Sequence, residues 1–198
     1  MAKDKEDKGQ TRDTILQQAR ALFAAKGYAG TGMEEIARAT GITKSSIYYF
    51  FKSKKEILVS MINQFVHELT EFQQESRNCS REVPCAGSFN TLMMELLQFL
   101  ETKKDILKII IMESLIGKES MLINLCAGKM LEGEMALNRQ CCGENYSSKL
   151  DDVKVEEFFM NYLPLMGYIV FKESFGEYNN MAEDDVQEKF INSFRRYK

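Results

Sequence analysis

The stretch Thr31 to Lys55, TGMEEIARATGITKSSIYYFFKSKK, decides the fold. It reads as a short helix, a turn containing Gly41, a second short helix rich in Ser and Tyr, and a basic opening to a third. Ile36 and Ala37 fall on the inward face of the first helix. Gly41 permits the sharp turn that follows, and Ile42 plugs it. Thr43 is the expected cap of the second helix, which turns Lys44, Ser45, Ser46, Tyr48 and Tyr49 outward and Ile47 and Phe51 inward. Thr31-x-x-Glu34 and Ser53-x-x-Glu56 both have capping-box spacing, in which side-chain oxygens satisfy two orphan amides at a helix start. The pattern is a helix-turn-helix.

Upstream, Ile15, Leu16, Ala19, Leu22 and Phe23 recur at helical period, so a helix is expected from about Thr11 to Lys26, ended by Gly27. Met1 to Gly9 reads as a polar, charge-alternating arm, mobile in solution, with Lys3, Lys5 and Lys8 as its basic residues. Downstream, Ile57, Leu58, Met61, Ile62, Phe65, Leu69 and Phe72 extend a fourth helix from Lys54 to about Ser76. Lys54 and Lys55 stand in its first turn, where positive charge opposes the macrodipole at a cost of about 0.3–1 kcal/mol each. A docked phosphate would meet the free amides and both ammonium groups there.

Several classes are excluded. The chain has 198 residues, 44% hydrophobic and 28% charged, with no apolar run long enough to span a membrane and a charged N-terminus unlike a signal peptide. The cysteines, Cys79, Cys85, Cys126, Cys141 and Cys142, are odd in number and read as reduced thiols of a cytoplasmic protein. Their spacing and the lone His67 make no metal site, and no cofactor motif is present. No nucleophile–base constellation or Gly-rich phosphate loop points to an enzyme. Charge is uneven: residues 1–58 carry a balance of +4 and the rest −7. A basic head on an acidic body suits a protein that offers one end to an anionic polymer.

The words ILQQARALFAAKGYAGT and EEIARATGITKSSIYYFFKSKKEIL, within Arg12 to Leu58, resemble the DNA-binding domain of TetR/AcrR-type transcriptional regulators. The resemblance implies an all-α protein with a helix-turn-helix domain at 1–58 and a helical ligand-binding and dimerisation domain at 59–198. It implies a DNA-contacting set of Thr31, Thr43, Lys44, Ser45, Ser46, Tyr48, Tyr49 and Lys54, with Lys54 holding phosphate. Two positions depart from the family pattern. Ser45 stands where a small residue, often Gly, is usual. Phe50 stands where His or Tyr is common, and cannot donate a hydrogen bond to phosphate.

Beyond a polar break at Arg77 to Gly87, helical segments are expected at Phe89–Glu101, Ile106–Ile116 (opened by Thr102-x-x-Asp105), Ser120–Leu137 and Asp151–Glu173, with Pro164 loosening the last. A final helix follows Asn180-x-x-Glu183. The family resemblance implies a ligand cavity in this body, assigned here to Met93, Leu97, Met112, Glu113, Met121, Leu125, Met130, Phe159, Tyr162 and Met166. Soft methionines suit irregular apolar pockets, and Glu113 interrupts an apolar run. The last two helices carry more apolar surface than one inward face needs, so a two-fold partner is expected to cover Phe158, Ile169, Val170, Phe190 and Phe194. The expected whole is a homodimeric repressor of a palindromic operator in double-stranded DNA, released by a small apolar effector. The alternative is a helical interaction protein that keeps the helix-turn-helix shape without specific DNA binding.

Overall fold

The structure is a computed structural model and describes residues 2–80, 87–116 and 157–196. These residues form eight α-helices and one π-helical turn, with no strand among them. The helices are α1 (Ala2–Gly30), α2 (Met33–Thr40), α3 (Lys44–Phe50), α4 (Lys54–Ser80), α5 (Gly87–Glu101) and α6 (Lys104–Ile116). The π-helical turn Glu157–Tyr162 then leads into α7 (Leu163–Asn179) and α8 (Glu183–Arg196). No helix of the described residues is long and apolar enough to cross a membrane.

Two compact units are present: Met1–Glu68 with Lys108–Cys126, and Leu69–Leu107 with Ala127–Lys198. The first buries Ile15, Leu16, Ala19 and Phe23 of α1 with Ile36 and Ala37 of α2, Ile47 of α3, Phe51, and Ile57, Leu58, Met61 and Ile62 of α4. These are the inward positions that helical periodicity selects, because only a continuous apolar stripe removes enough surface from water to fix such short helices. In the second unit α5 packs on α7 and α7 on α8, burying Met93, Leu97, Leu100, Leu165, Met166, Ile169, Val186 and Ile191.

Local chemistry explains most helix ends. Gly27 has φ 78° and breaks α1, as expected of it. Gly41 has φ 70° and caps α2, with its own N–H turned back to the carbonyls of Ala37 and Arg38. The Thr43 hydroxyl accepts the Ser46 amide at 3.1 Å, so the expected cap of α3 is present. The Ser53 hydroxyl accepts the Glu56 amide at 3.2 Å, while the Glu56 carboxylate accepts the Lys52 amide at 2.7 Å. Pro164 lies in the first turn of α7, directly after the π-helical turn. A residue without an N–H cannot continue the α-ladder, and the wider turn accommodates the break.

Other expectations fail at helix ends. The N-terminal arm is helical from Ala2, not mobile coil. The Thr31 capping box does not form. Gly32 is the N-cap of α2 without a side-chain bond, and the Thr31 hydroxyl instead donates inward to the Gly27 carbonyl at 3.0 Å. Thr102 likewise bonds back to the Phe99 carbonyl at 2.7 Å rather than capping α6. Asn180 closes α7 in the left-handed conformation, φ 52°, instead of opening α8. Helix α4 runs to Ser80, four residues past its expected end.

Candidate nucleic-acid interface

Helix α3 has two faces of opposite character. Ile47 is fully buried and Phe51, just past its end, is 1% exposed, which anchors the helix on the core of the first unit. On the other side Thr43, Lys44, Ser45, Tyr48 and Tyr49 are exposed and Ser46 is half-buried. Tyr48 is therefore not a core aromatic. The hydroxyls of Ser45 and Ser46 both lie within 2.9 Å of the Thr43 hydroxyl, so three small oxygens sit together at the start of the helix. Such a face offers donors and acceptors to base edges and phosphates, and nothing on it resembles a catalytic pair.

Lys44 has a partner on α2. Its ammonium lies 2.7 Å from Glu34 on α2, and both groups are exposed. The pair holds the Glu34 carboxyl below its ordinary range and raises the lysine. Because the carboxyl pKa is depressed, the pair persists at neutral pH and is lost only as pH falls through that lowered value. DNA phosphate or a guanine edge would compete with Glu34 for the same ammonium. Glu34→Gln should therefore raise affinity for duplex DNA severalfold at low salt and steepen its salt dependence, measured by fluorescence anisotropy.

Tyr49 is 69% exposed and its ring meets Phe50 edge-on at 5.2 Å. Its hydroxyl accepts the Lys8 ammonium at 3.2 Å, so the helical N-terminal segment reaches the exposed side of α3. Arg12 lies over the Phe51 ring at 4.9 Å and donates to Ser60 at 3.3 Å. Two residues of the expected DNA-contacting set are placed differently. Thr31 is 1% exposed, its hydroxyl spent inside the α1–α2 turn. Lys54 turns inward: its ammonium donates to the carbonyls of Tyr28 at 2.6 Å and Thr31 at 2.8 Å. Burial lowers the Lys54 pKa, and the nearby Glu113 charge opposes that shift.

The residues expected to line a ligand cavity divide between the units. Met112 and Glu113 belong to the first, and Met93, Leu97, Tyr162 and Met166 are buried in the second. Phe159 is 54% exposed. Met121, Leu125 and Met130 lie outside the described residues, as do Cys141, Cys142 and the expected helix at Ser120–Leu137. Glu113 does not face solvent. It is buried and accepts the Tyr28 amide at 3.2 Å.

The residues expected at a two-fold interface are not the most exposed of α7. Ile169 is fully buried inside the second unit, and Phe190 is stacked on Tyr168 with ring centroids 4.2 Å apart. Phe158 and Val170 are half-buried, and only the helical placement of Phe194 is described. The uncovered stripe is Phe171, Phe175 and Tyr178, at i, i+4 and i+7, exposed by 55%, 53% and 88%. It borders a groove of about 420 Å³ between α7 and α8, lined also by Tyr168, Met181 and Val186. The floor is pinned by Lys172, whose ammonium pairs with Glu101 of α5 at 2.9 Å and with Glu183 of α8.

A helix-turn-helix head with a polar recognition face, set in an all-helical chain, defines the class. Residues 15–61 match the family model of bacterial regulatory proteins, tetR family. Among curated proteins, the biofilm operon icaADBC negative transcriptional regulator IcaR of Staphylococcus aureus is 35% identical over 72 residues, 35% of this chain and 39% of that protein. The HTH-type regulator YuxN of Bacillus subtilis is 43% identical over 51 residues, 26% of this chain and 18% of that one. The chain thus spans well under half the length of these relatives. Among solved structures, a transcriptional regulator of Aquifex aeolicus aligns over 95% of this chain and 99% of its own, with 18% identity and TM-score 0.62. FadR of Thermus thermophilus, a TetR-family repressor in complex with lauroyl-CoA, aligns over 92% of both chains with 16% identity and TM-score 0.52. Residues 15–61 are thus similar to the DNA-binding domain of tetR-family regulators, and the chain as a whole shares the fold of these solved structures.

Proposed function

We propose that this chain is a ligand-responsive transcriptional repressor that binds a palindromic operator as a homodimer and is released by a small apolar effector. Residues 1–58 act as the DNA-reading domain and 59–198 as the ligand-binding and dimerisation domain. The observation that carries this reading is α3, anchored by Ile47 and Phe51 while Thr43, Lys44, Ser45, Ser46, Tyr48 and Tyr49 stand on its other side. Lys44 and the serines read base edges, and the tyrosine hydroxyls hold phosphate. Repression is the sign carried by the names of IcaR and FadR, and an acyl-CoA bound to FadR favours an effector with an apolar chain. The uncovered Phe171–Phe175–Tyr178 stripe favours a second copy as its cover. Two copies would set their recognition helices about 34–36 Å apart, one turn of DNA.

The test is binding of the purified chain to a duplex from its own upstream region and to random duplex, across a salt series. A salt-sensitive preference for the first is expected, and equal or absent binding sinks the reading. In the same assay Tyr49→Phe should lower affinity about equally on both duplexes, as loss of a phosphate contact does.

A further inference from the structure

Lys54 and Glu113 meet at one residue, Tyr28, just past the break of α1 at Gly27 and at the approach to the α1–α2 turn. The Glu113 carboxylate accepts the Tyr28 N–H at 3.2 Å, and the Lys54 ammonium takes the Tyr28 carbonyl at 2.6 Å and the Thr31 carbonyl at 2.8 Å. The Lys54 ammonium also lies 4.2 Å from the centre of the Tyr28 ring, which packs edge-on against Phe23 in the core. A carboxylate thus holds the N–H of Tyr28 while an ammonium holds its C=O, and the two charges attract each other. This lies directly after Gly27, where the backbone leaves the helix, and directly before α2.

From this geometry we infer that Lys54 and Glu113 are positioning residues, a charged brace that sets the α1–α2 turn and so the presentation of α3, with no phosphate contact made by Lys54. Turning the ammonium out to a phosphate would take its donor from the Thr31 carbonyl, leave the Tyr28 carbonyl only the Thr31 N–H at 3.3 Å, and deprive the buried Glu113 of its countercharge. Each is costly where Thr31 and Glu113 are buried. Glu113 is also a point at which α6 meets the DNA-reading head, through its bond to the Tyr28 amide.

The inference rests on the DNA-binding reading, and its test separates the two. The full chain is compared with Lys54→Met, Lys54→Gln, Glu113→Ala and the Lys54→Met/Glu113→Ala double variant. Affinity for the upstream duplex is followed against salt, and hydrogen exchange is followed at the Tyr28 amide. Lys54→Met and Glu113→Ala should each weaken binding about tenfold while leaving the slope of log K against log salt unchanged. The double variant should lose no more than the worse single one. Tyr28 exchange should rise in both single variants. Lys54→Gln, which keeps a donor for one carbonyl, should lose less than Lys54→Met. A slope that falls by about 0.9 in Lys54→Met, with Tyr28 protection intact, makes Lys54 a phosphate ligand and overturns the brace. Should the unaltered chain bind no DNA, the functional reading fails, while Tyr28 exchange and thermal stability in the variants still decide the brace. Unchanged exchange in all of them overturns it.

Discussion

Replacing Phe171 and Phe175 together by Glu should turn a dimer into a monomer and lower affinity for a two-half-site operator by about 10²–10⁴-fold. Each ring is about half exposed on the protomer, and Tyr178 continues the same helical stripe at 88%. A two-fold interface presents the same patch from both copies, so each substitution acts twice and brings like charges together. The protomer itself should survive, since neither ring belongs to its core and the Lys172 pairs with Glu101 and Glu183 are left in place. Sedimentation measures the oligomer, and anisotropy on a duplex with one half-site against two separates avidity from loss of the reading head. Affinity for a single half-site should be unchanged. A variant that remains dimeric would move the interface to another face.

Phe51→Ala should destabilise the first unit by about 3–5 kcal/mol, the usual range for removing a buried aromatic ring. Phe51 is 1% exposed and its amide closes α3 by bonding the Ile47 carbonyl at 2.9 Å. Helix α3 has only seven residues and cannot hold itself together; it exists because Ile47 and Phe51 bury one face. The cavity left by the ring also removes the surface on which the Arg12 guanidinium lies. Urea denaturation followed by circular dichroism gives the stability, and DNA binding should be lost at temperatures where the second unit remains folded. Phe50→Ala, one position earlier but half-buried, should cost much less.

Much of the head was legible because its information is local. The apolar spacing of α1 to α4, Gly27 and Gly41 at the breaks, and the Thr43 and Ser53 caps each need only neighbours in the chain. Where two local solutions compete, the sequence was a poor guide. Thr31 can cap a helix or donate to a carbonyl in the turn before it, and burial at 1% selected the second. Asn180 has the cap spacing for α8, yet its tolerance of positive φ put it at the end of α7. The charges of the N-terminal segment read as a solvated arm because alternating sign describes both a coil and a helix with paired faces.

The sequence by itself determined the all-helical class, the helix-turn-helix and the outward residues of α3, because periodicity and capping are properties of short stretches. Only the tertiary structure decided what the charged and apolar residues of the body face. Glu113 lies 85 positions from the amide it holds, and Lys54 lies 26 from the nearer-bonded of its two carbonyls. No local pattern distinguishes a lysine that waits for phosphate from one that closes a turn. Likewise Ile169 and Phe171 are both apolar and two residues apart, and their roles differ because a helix turns about 100° per residue. One points into the protomer and the other away from it.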